Sequence, residues 1–125
     1  MTFAYWMILA AAMLPYLTIL FVKRAGRQRF DNRRPRAWLE AQTGWQQRGD
    51  WAHRNHFETF PIFATAVFVA ELTHAPQGWI DLLAGIFIAL RVVYTVLYLA
   101  DKAAVRSLVW LLGLVVTISL FALGA

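Results

Sequence analysis

Apolar stretches long enough to cross a membrane constrain this chain more than any other feature. Residues 2–22 form a run of 21 residues without a charge, and residues 107–125 form a second run of 19. At about 1.5 Å of rise per residue, helices of this length match the hydrocarbon core of a bilayer, which is about 30 Å thick. We therefore predict that both runs are membrane-spanning helices.

Two further spans are predicted between these runs, at residues 51–74 and 79–100. The latter is interrupted by Arg91. The uncharged part of the former is only 12 residues long, so it reaches membrane length only if Asn55 and Glu58 belong to the helix. The 125 residues are thus predicted to form a single all-α integral membrane domain, an up-down-up-down four-helix transmembrane bundle.

The composition fits a membrane protein better than a soluble one. Hydrophobic residues make up 60% of the chain and charged residues 15%, whereas a soluble domain carries about a quarter charged residues. There is no cysteine, which excludes disulfides, a cysteine nucleophile and a cysteine-based metal site.

The positive charge is concentrated in one connection. Eight of the twelve Lys and Arg lie in residues 23–50, beside the apolar spans. This placement favours a topology signal or a contact with anionic membrane lipid, and no nucleic-acid partner is predicted. The second connection has no Lys or Arg and the third has two, so the positive-inside rule puts the basic loop 23–50 in the cytoplasm and both termini outside it.

Helix rise brings polar residues from different spans into one layer. Asn55 and Glu58 lie about 6 and 10 Å below the cytoplasmic surface, while Tyr98 and Arg91 lie about 5 and 15 Å below it. Charged side chains at such depths are costly, so they are expected to face inward or toward another subunit. The candidate substrate-binding and catalytic residues of this layer are Arg48, Asn55, Glu58, Arg91, Tyr94, Tyr98 and Arg106.

Two interpretations of this layer are open from the spacing alone. Glu58 and Arg91 could form a buried ion pair that sets the helix register, with the tyrosines as core residues. Alternatively, a polar ligand that brings its own charges binds there, because more polar groups converge than one ion pair requires.

The neighbouring charged and imidazole side chains are weaker signals. His53 and His56 have a spacing that could hold a metal, but no third ligand has a matching depth, so no metal site is predicted. Arg54 and Glu58 have the i, i+4 spacing of a local salt bridge.

The order and spacing of these residues resemble the signature of the MAPEG family, the membrane-associated proteins in eicosanoid and glutathione metabolism. The residues that carry the resemblance are Asn55, Glu58, Pro61, Arg91, Tyr94, Tyr98 and Arg106. The loop DNRRPRAWLEAQTGW looks like that of bacterial members. The resemblance covers the whole chain.

The resemblance implies a homotrimer that binds glutathione, as co-substrate, between adjacent subunits near the cytoplasmic side. Carried over by position, Glu58 takes the amino group of glutathione and Arg106 is the catalytic residue that stabilises its thiolate. Many members have an arginine where this chain has Trp51, and Arg48 or Arg54 could replace it. The other residues that match binding positions, or a buried arginine of the third helix, are Asn55, Tyr94, Tyr98 and Arg91.

The resulting hypothesis is a glutathione transferase of the bacterial inner membrane. It would conjugate apolar small-molecule electrophiles or reduce lipid hydroperoxides. An alternative is a non-catalytic lipid-binding or scaffold member of the same family. A small multidrug exporter with Glu58 as proton-coupling group is a third reading, although the arginine and tyrosines around this acid favour its ionised form.

Overall fold

The structure, a computed structural model, describes residues 1–26 and 28–125. Arg27, which is one of the eight basic residues counted in the first connection, lies outside them. The described residues form five helices: α1 (Phe3–Ala25), α2 (Pro35–Glu40), α3 (Gly44–Leu72), α4 (Gln77–Leu99) and α5 (Ala103–Leu123).

The predicted all-helical membrane architecture is confirmed. Among the described residues, α1, α4 and α5 are each long and apolar enough to cross a membrane. The 29-residue α3 is the longest helix, but its first half is polar, and whether it spans the membrane stays a prediction.

One helix boundary differs from the expected one. The predicted second span begins at Trp51, whereas α3 begins at Gly44, so the end of the expected basic loop is helical. Gly44 has a positive φ of 62°, a conformation that glycine adopts at little cost. The short helix opened by Pro35 ends at Glu40, before this glycine.

The four long helices run alternately up and down. At one end of the bundle the Thr2 hydroxyl donates to Glu71, which joins the start of α1 to the end of α3. At the other end Arg48 of α3 bonds to the backbone of Tyr98 in α4, and Arg106 of α5 lies over the Tyr98 ring. Helix α3 contacts every other helix of the described chain, whereas α1 and α5 occupy opposite corners and do not touch.

The interior has a larger part that is apolar and a smaller part that also contains polar side chains. Phe63 and Phe87 stack at 3.9 Å in the apolar part, among small residues that allow close helix approach. A second, smaller cluster around Ala52, Tyr94 and Val109 lies toward the end where α4 finishes and α5 begins. This smaller part contains the polar residues that the sequence analysis names as candidates for the site.

A glycine sets the distance between α1 and α3. A Cβ atom on Gly49 would collide with the side chain of Val22, which is fully buried. Because only a hydrogen fits, Gly49 allows the first turns of α3 to pack directly on the last turns of α1.

Candidate functional site

The C-terminus of α4 is held by Arg48. Its Nε and Nη2 atoms donate to the carbonyl oxygens of Tyr98 (3.1 Å) and Leu99 (3.0 Å). A guanidinium at this position satisfies terminal carbonyls and complements the negative end of the helix dipole. Arg48 is therefore engaged in joining α3 to α4, and its suggested part in ligand binding stays a prediction.

The buried Arg91 is anchored by a histidine and an asparagine. Its Nη2 atom donates to Nδ1 of His56 at 3.1 Å and to Oδ1 of Asn55 at 3.0 Å, and its Nε atom lies 3.3 Å from the same His56 nitrogen. A guanidinium can only donate, so Nδ1 of His56 accepts and its Nε2 carries the proton. That Nε2 donates to the Thr95 hydroxyl at 2.9 Å, and this hydroxyl donates to the Arg91 carbonyl at 2.9 Å.

No carboxylate lies within salt-bridge distance of Arg91 in the described part of the chain. The direct Glu58–Arg91 ion pair is therefore not formed. Instead Asn55 links the two, since its Nδ2 donates to Glu58 Oε2 at 2.8 Å while its Oδ1 accepts from Arg91. The suggested Arg54–Glu58 pair is also wrong, because Arg54 bonds to Asp50 at 2.9 Å.

Two arginines flank a pair of tyrosines. The guanidinium of Arg91 lies 4.3 Å from the ring centre of Tyr94, and that of Arg106 lies 4.2 Å from the ring centre of Tyr98. The two rings meet edge to face at 5.5 Å. Each contact has cation–π geometry. The two tyrosine rings therefore position the guanidinium groups of Arg91 on α4 and Arg106 on α5 in the same part of the bundle. Trp51 is 44% exposed and packs at 6.4 Å against Tyr98.

A cavity of about 120 Å³ opens between α3, α4 and α5 beside this network. An adjoining shallow cleft of about 230 Å³ includes Arg106 and Ser107 and shares Asn55, Tyr94 and Trp110 with the cavity. The cavity is lined by Asn55, Glu58, Thr59, Ile62, Phe87, Leu90, Arg91, Tyr94, Val109, Trp110, Gly113, Leu114 and Thr117.

The structure thus brings together most of the residues expected from the sequence. Asn55 and Tyr94 line both spaces, Glu58 and Arg91 line the cavity, and Arg106 lines the cleft. Tyr98 lines neither space but supports Arg106 through its ring.

Sequence reasoning missed the role of the histidines. Their spacing could hold a metal, but His56 binds Arg91, and Nδ1 of His53 donates to the Pro15 carbonyl at 2.7 Å. Among the described residues no three His, Cys, Asp or Glu side chains cluster as metal ligands would.

The contribution of α5 beyond Arg106 was also missed. Val109, Trp110, Gly113 and Thr117 follow Arg106 at spacings of three, four, seven and eleven residues, and all line the cavity. This helical spacing was the available signal. It was obscured because apolar side chains on a membrane span are expected to face lipid.

These features define an all-helical membrane protein with a polar network and a cavity inside its helix bundle. A sequence model of the MAPEG family matches residues 3–125, essentially the whole chain. The chain belongs to the MAPEG family, as its motifs had indicated. No curated protein and no solved structure matched the chain.

Proposed function

We propose that this protein is a membrane-bound glutathione transferase that binds glutathione, stabilises its thiolate and delivers it to apolar electrophiles or lipid hydroperoxides. The observation that carries the proposal is the meeting of Asn55, Glu58, Arg91 and Tyr94 around one cavity, next to the cleft that contains Arg106. Membership of the MAPEG family supports it.

The charges around the cavity complement those of glutathione. The exposed carboxylate of Glu58, which accepts a hydrogen bond from Asn55, can also accept hydrogen bonds from the amino group of the tripeptide. Arg91 has no carboxylate within salt-bridge distance in the described chain, so its positive charge remains for a ligand carboxylate or thiolate.

Arg106 has the chemistry to stabilise the thiolate. A free thiol is mostly protonated at neutral pH, and only the thiolate is a good nucleophile. A guanidinium beside the sulfur favours the charged form and, unlike a lysine, does not lose its own proton. The cation–π contact with Tyr98 holds this group beside the cleft.

The reaction then needs no further cofactor. In conjugation the sulfur forms a bond to an electrophilic carbon, and the leaving group departs with its electron pair. In the peroxidase reaction the thiolate sulfur bonds to the terminal oxygen of the hydroperoxide, the O–O bond breaks, and the alkoxide takes up a proton and leaves as the alcohol, so that glutathione sulfenic acid remains. The thiol of a second glutathione then displaces the hydroxyl group from this sulfur, which gives the disulfide and water.

Replacing Arg106 tests the proposal. In Arg106→Ala the ultraviolet absorbance of bound thiolate at neutral pH should disappear, and turnover of chlorodinitrobenzene should fall about 100-fold or more, as when one preorganised charge-stabilising group is removed. Arg36→Ala is the matched control, because Arg36 is exposed in the basic loop. A wild-type protein without bound thiolate, or an unchanged signal in Arg106→Ala, would contradict the proposed mechanism.

The proposal includes a homotrimer of four-span subunits in a bacterial inner membrane. Large apolar side chains such as Leu17, Val96 and Ile118 are more than half exposed on the single chain, a surface suited to lipid or to neighbouring subunits. Native mass spectrometry of the detergent-solubilised protein should give three chains per particle, and a monomer would refute the assembly.

A non-catalytic lipid-binding protein of the same family is the second candidate. It is favoured by Trp51, which places an exposed indole beside Tyr98 where many members carry an arginine. Native mass spectrometry that finds lipid but no thiol on the purified protein would favour this function. Turnover of chlorodinitrobenzene with glutathione would exclude it.

A further inference from the structure

We infer that Arg48 is a positioning residue for the proposed reaction, because it fixes the end of α4 and thereby places the guanidinium of Arg106 beside the glutathione sulfur. The inference rests on the proposed function, in which Arg106 stabilises the thiolate. It differs from the role predicted for Arg48 from the sequence, which is direct contact with glutathione. In the described chain Arg48 lines neither the cavity nor the cleft.

Tyr98 is in contact with both arginines. Its backbone carbonyl accepts a hydrogen bond from Nε of Arg48 at 3.1 Å, and its ring centre lies 4.2 Å from the guanidinium of Arg106. The Nη2 atom of Arg48 donates to the next carbonyl, that of Leu99, at 3.0 Å. Because one residue of α4 is bonded to α3 through its backbone and supports α5 through its ring, a displacement of the end of α4 also displaces the ring on which Arg106 rests.

The connection from α4 to α5 is too short to absorb such a displacement. Only residues 100–102 separate the two helices. The N–H of Asp101 donates to the Tyr98 carbonyl at 3.2 Å, and the carbonyl of Lys102 accepts from the N–H of Arg106 at 2.9 Å. The first turn of α5, which carries Arg106, is therefore joined by hydrogen bonds to the residues that Arg48 holds.

The position of Arg106 matters because the effect of a charge depends on distance. The attraction between a guanidinium and a thiolate weakens as their separation grows and as water enters between them. A misplacement of about 1 Å in an active site can lower the rate about 100-fold. Arg48 therefore controls the thiolate through α4 and Tyr98, without contact with the substrate.

Arg48→Met tests the inference, because methionine keeps the apolar stem and has no hydrogen-bond donor. The pH at which half of the bound glutathione is thiolate, followed by ultraviolet absorbance, should rise by about one unit, since the opposite charge is misplaced. The affinity for S-methylglutathione, which has no thiol, should stay within about twofold of the wild type. Arg48→Lys keeps a charged donor and should give a smaller rise.

Asp101→Asn separates the two kinds of contact that Arg48 makes. The Arg48–Asp101 ion pair is 3.9 Å long and the side chain of Asp101 is 71% exposed, so the pair contributes little. Asparagine also tolerates the positive φ of 60° at this position. Asp101→Asn should therefore keep the wild-type titration of the thiolate, as should Arg36→Met in the exposed basic loop.

A double-variant cycle tests whether Arg48 acts through Arg106. Arg48→Met should lower the turnover of chlorodinitrobenzene about tenfold or more in the wild type, but it should cause little further loss when Arg106→Ala is already present. An equal loss in both backgrounds would show that Arg48 acts by another route, such as general stability, and would refute the inference.

Two further results would overturn the inference. One is an unchanged thiolate titration in Arg48→Met. The other is a loss of S-methylglutathione affinity of about tenfold or more, which would make Arg48 a ligand contact. If the methionine variant does not fold, Arg48→Lys decides by the same two measurements.

A failure of the proposed function can be told apart from a failure of the positioning role. If the wild type binds no glutathione, the proposed function fails, and hydrogen exchange without ligand then tests whether Arg48 holds the start of α5. Amides of residues 100–106 should exchange about tenfold faster in Arg48→Met than in the wild type or in Arg36→Met. Equal exchange in all three would refute the role of Arg48.

Discussion

At the scale of single residues, the environment of Arg91 is the most informative feature. A charged group buried in a membrane bundle is costly unless it is paired and hydrogen-bonded. Arg91 is 3% exposed, yet its side-chain hydrogen bonds go to the neutral groups of His56 and Asn55. The arginine is held in place without its charge being neutralised, which suits a site that binds an anionic ligand.

His56→Leu should destabilise the protein by about 1–3 kcal/mol, because Arg91 loses its buried acceptor and Thr95 loses a donor. The free energy of unfolding in mixed detergent is the measurement. His56→Gln can still accept a hydrogen bond and should recover part of the loss. Equal stability of His56→Leu and the wild type would show that the network contributes little.

At the scale of helices, the polar first half of α3 organises the bundle. It contributes Arg48, which binds the end of α4, and Gly49, which lets α1 approach. Further along, His53 donates to the Pro15 carbonyl of α1. Helix α3 thus joins its neighbours through specific polar and steric contacts rather than through an apolar face alone.

Gly49→Ala should lower stability by about 1–3 kcal/mol, because its Cβ collides with Val22 and this strain exceeds the gain of about 1 kcal/mol in helix propensity. Unfolding of the single variants and of Gly49→Ala combined with Val22→Ala measures the coupling between the two sites. In the double variant the collision is relieved, so its loss of stability should be smaller than the sum of the losses in the two single variants.

Gly78→Ala is the matched control for this helix contact. An added Cβ at Gly78 meets nothing within 4 Å, so this variant should be as stable as the wild type or slightly more stable. Equal effects of the two substitutions would show that the α1–α3 contact does not depend on Gly49.

At the scale of the whole molecule, the distribution of charge predicts the orientation in the membrane. Five exposed arginines lie at the end of α1 and in the described part of the basic loop: Arg24, Arg29, Arg33, Arg34 and Arg36. Within the described chain none of them forms a salt bridge. Such a loop is retained on the cytoplasmic side, and both termini should then lie on the other side.

Single-cysteine labelling tests this orientation cleanly, because the chain contains no cysteine. In spheroplasts a membrane-impermeant maleimide should label Ala125→Cys directly. It should label Ala37→Cys, in the basic loop, only after permeabilisation. The reverse pattern would invert the topology, and labelling of both positions without permeabilisation would contradict the odd number of crossings between them.

Much of the site could be predicted because helix geometry is regular. A constant rise per residue converts sequence position into depth, and this put Asn55, Glu58, Arg91 and Tyr94 in one layer. The cavity that they line is found there. The helical start of α3 at Gly44 could not be predicted from the composition, because its first two turns are polar and resemble a loop.

The sequence by itself determined the membrane class, the helical architecture and the layer in which polar residues meet, since these follow from apolar length, charge distribution and helix rise. The family was indicated separately, by the resemblance of the motif residues to those of known members. Only the tertiary structure decided which groups each side chain contacts. Arg91 bonds to His56 rather than to Glu58, Arg48 bonds to the end of α4, and Gly113 lines the cavity. The physical reason is that depth depends on one helix alone. The direction that a side chain faces depends on how each helix is rotated against its neighbours, and packing sets that rotation.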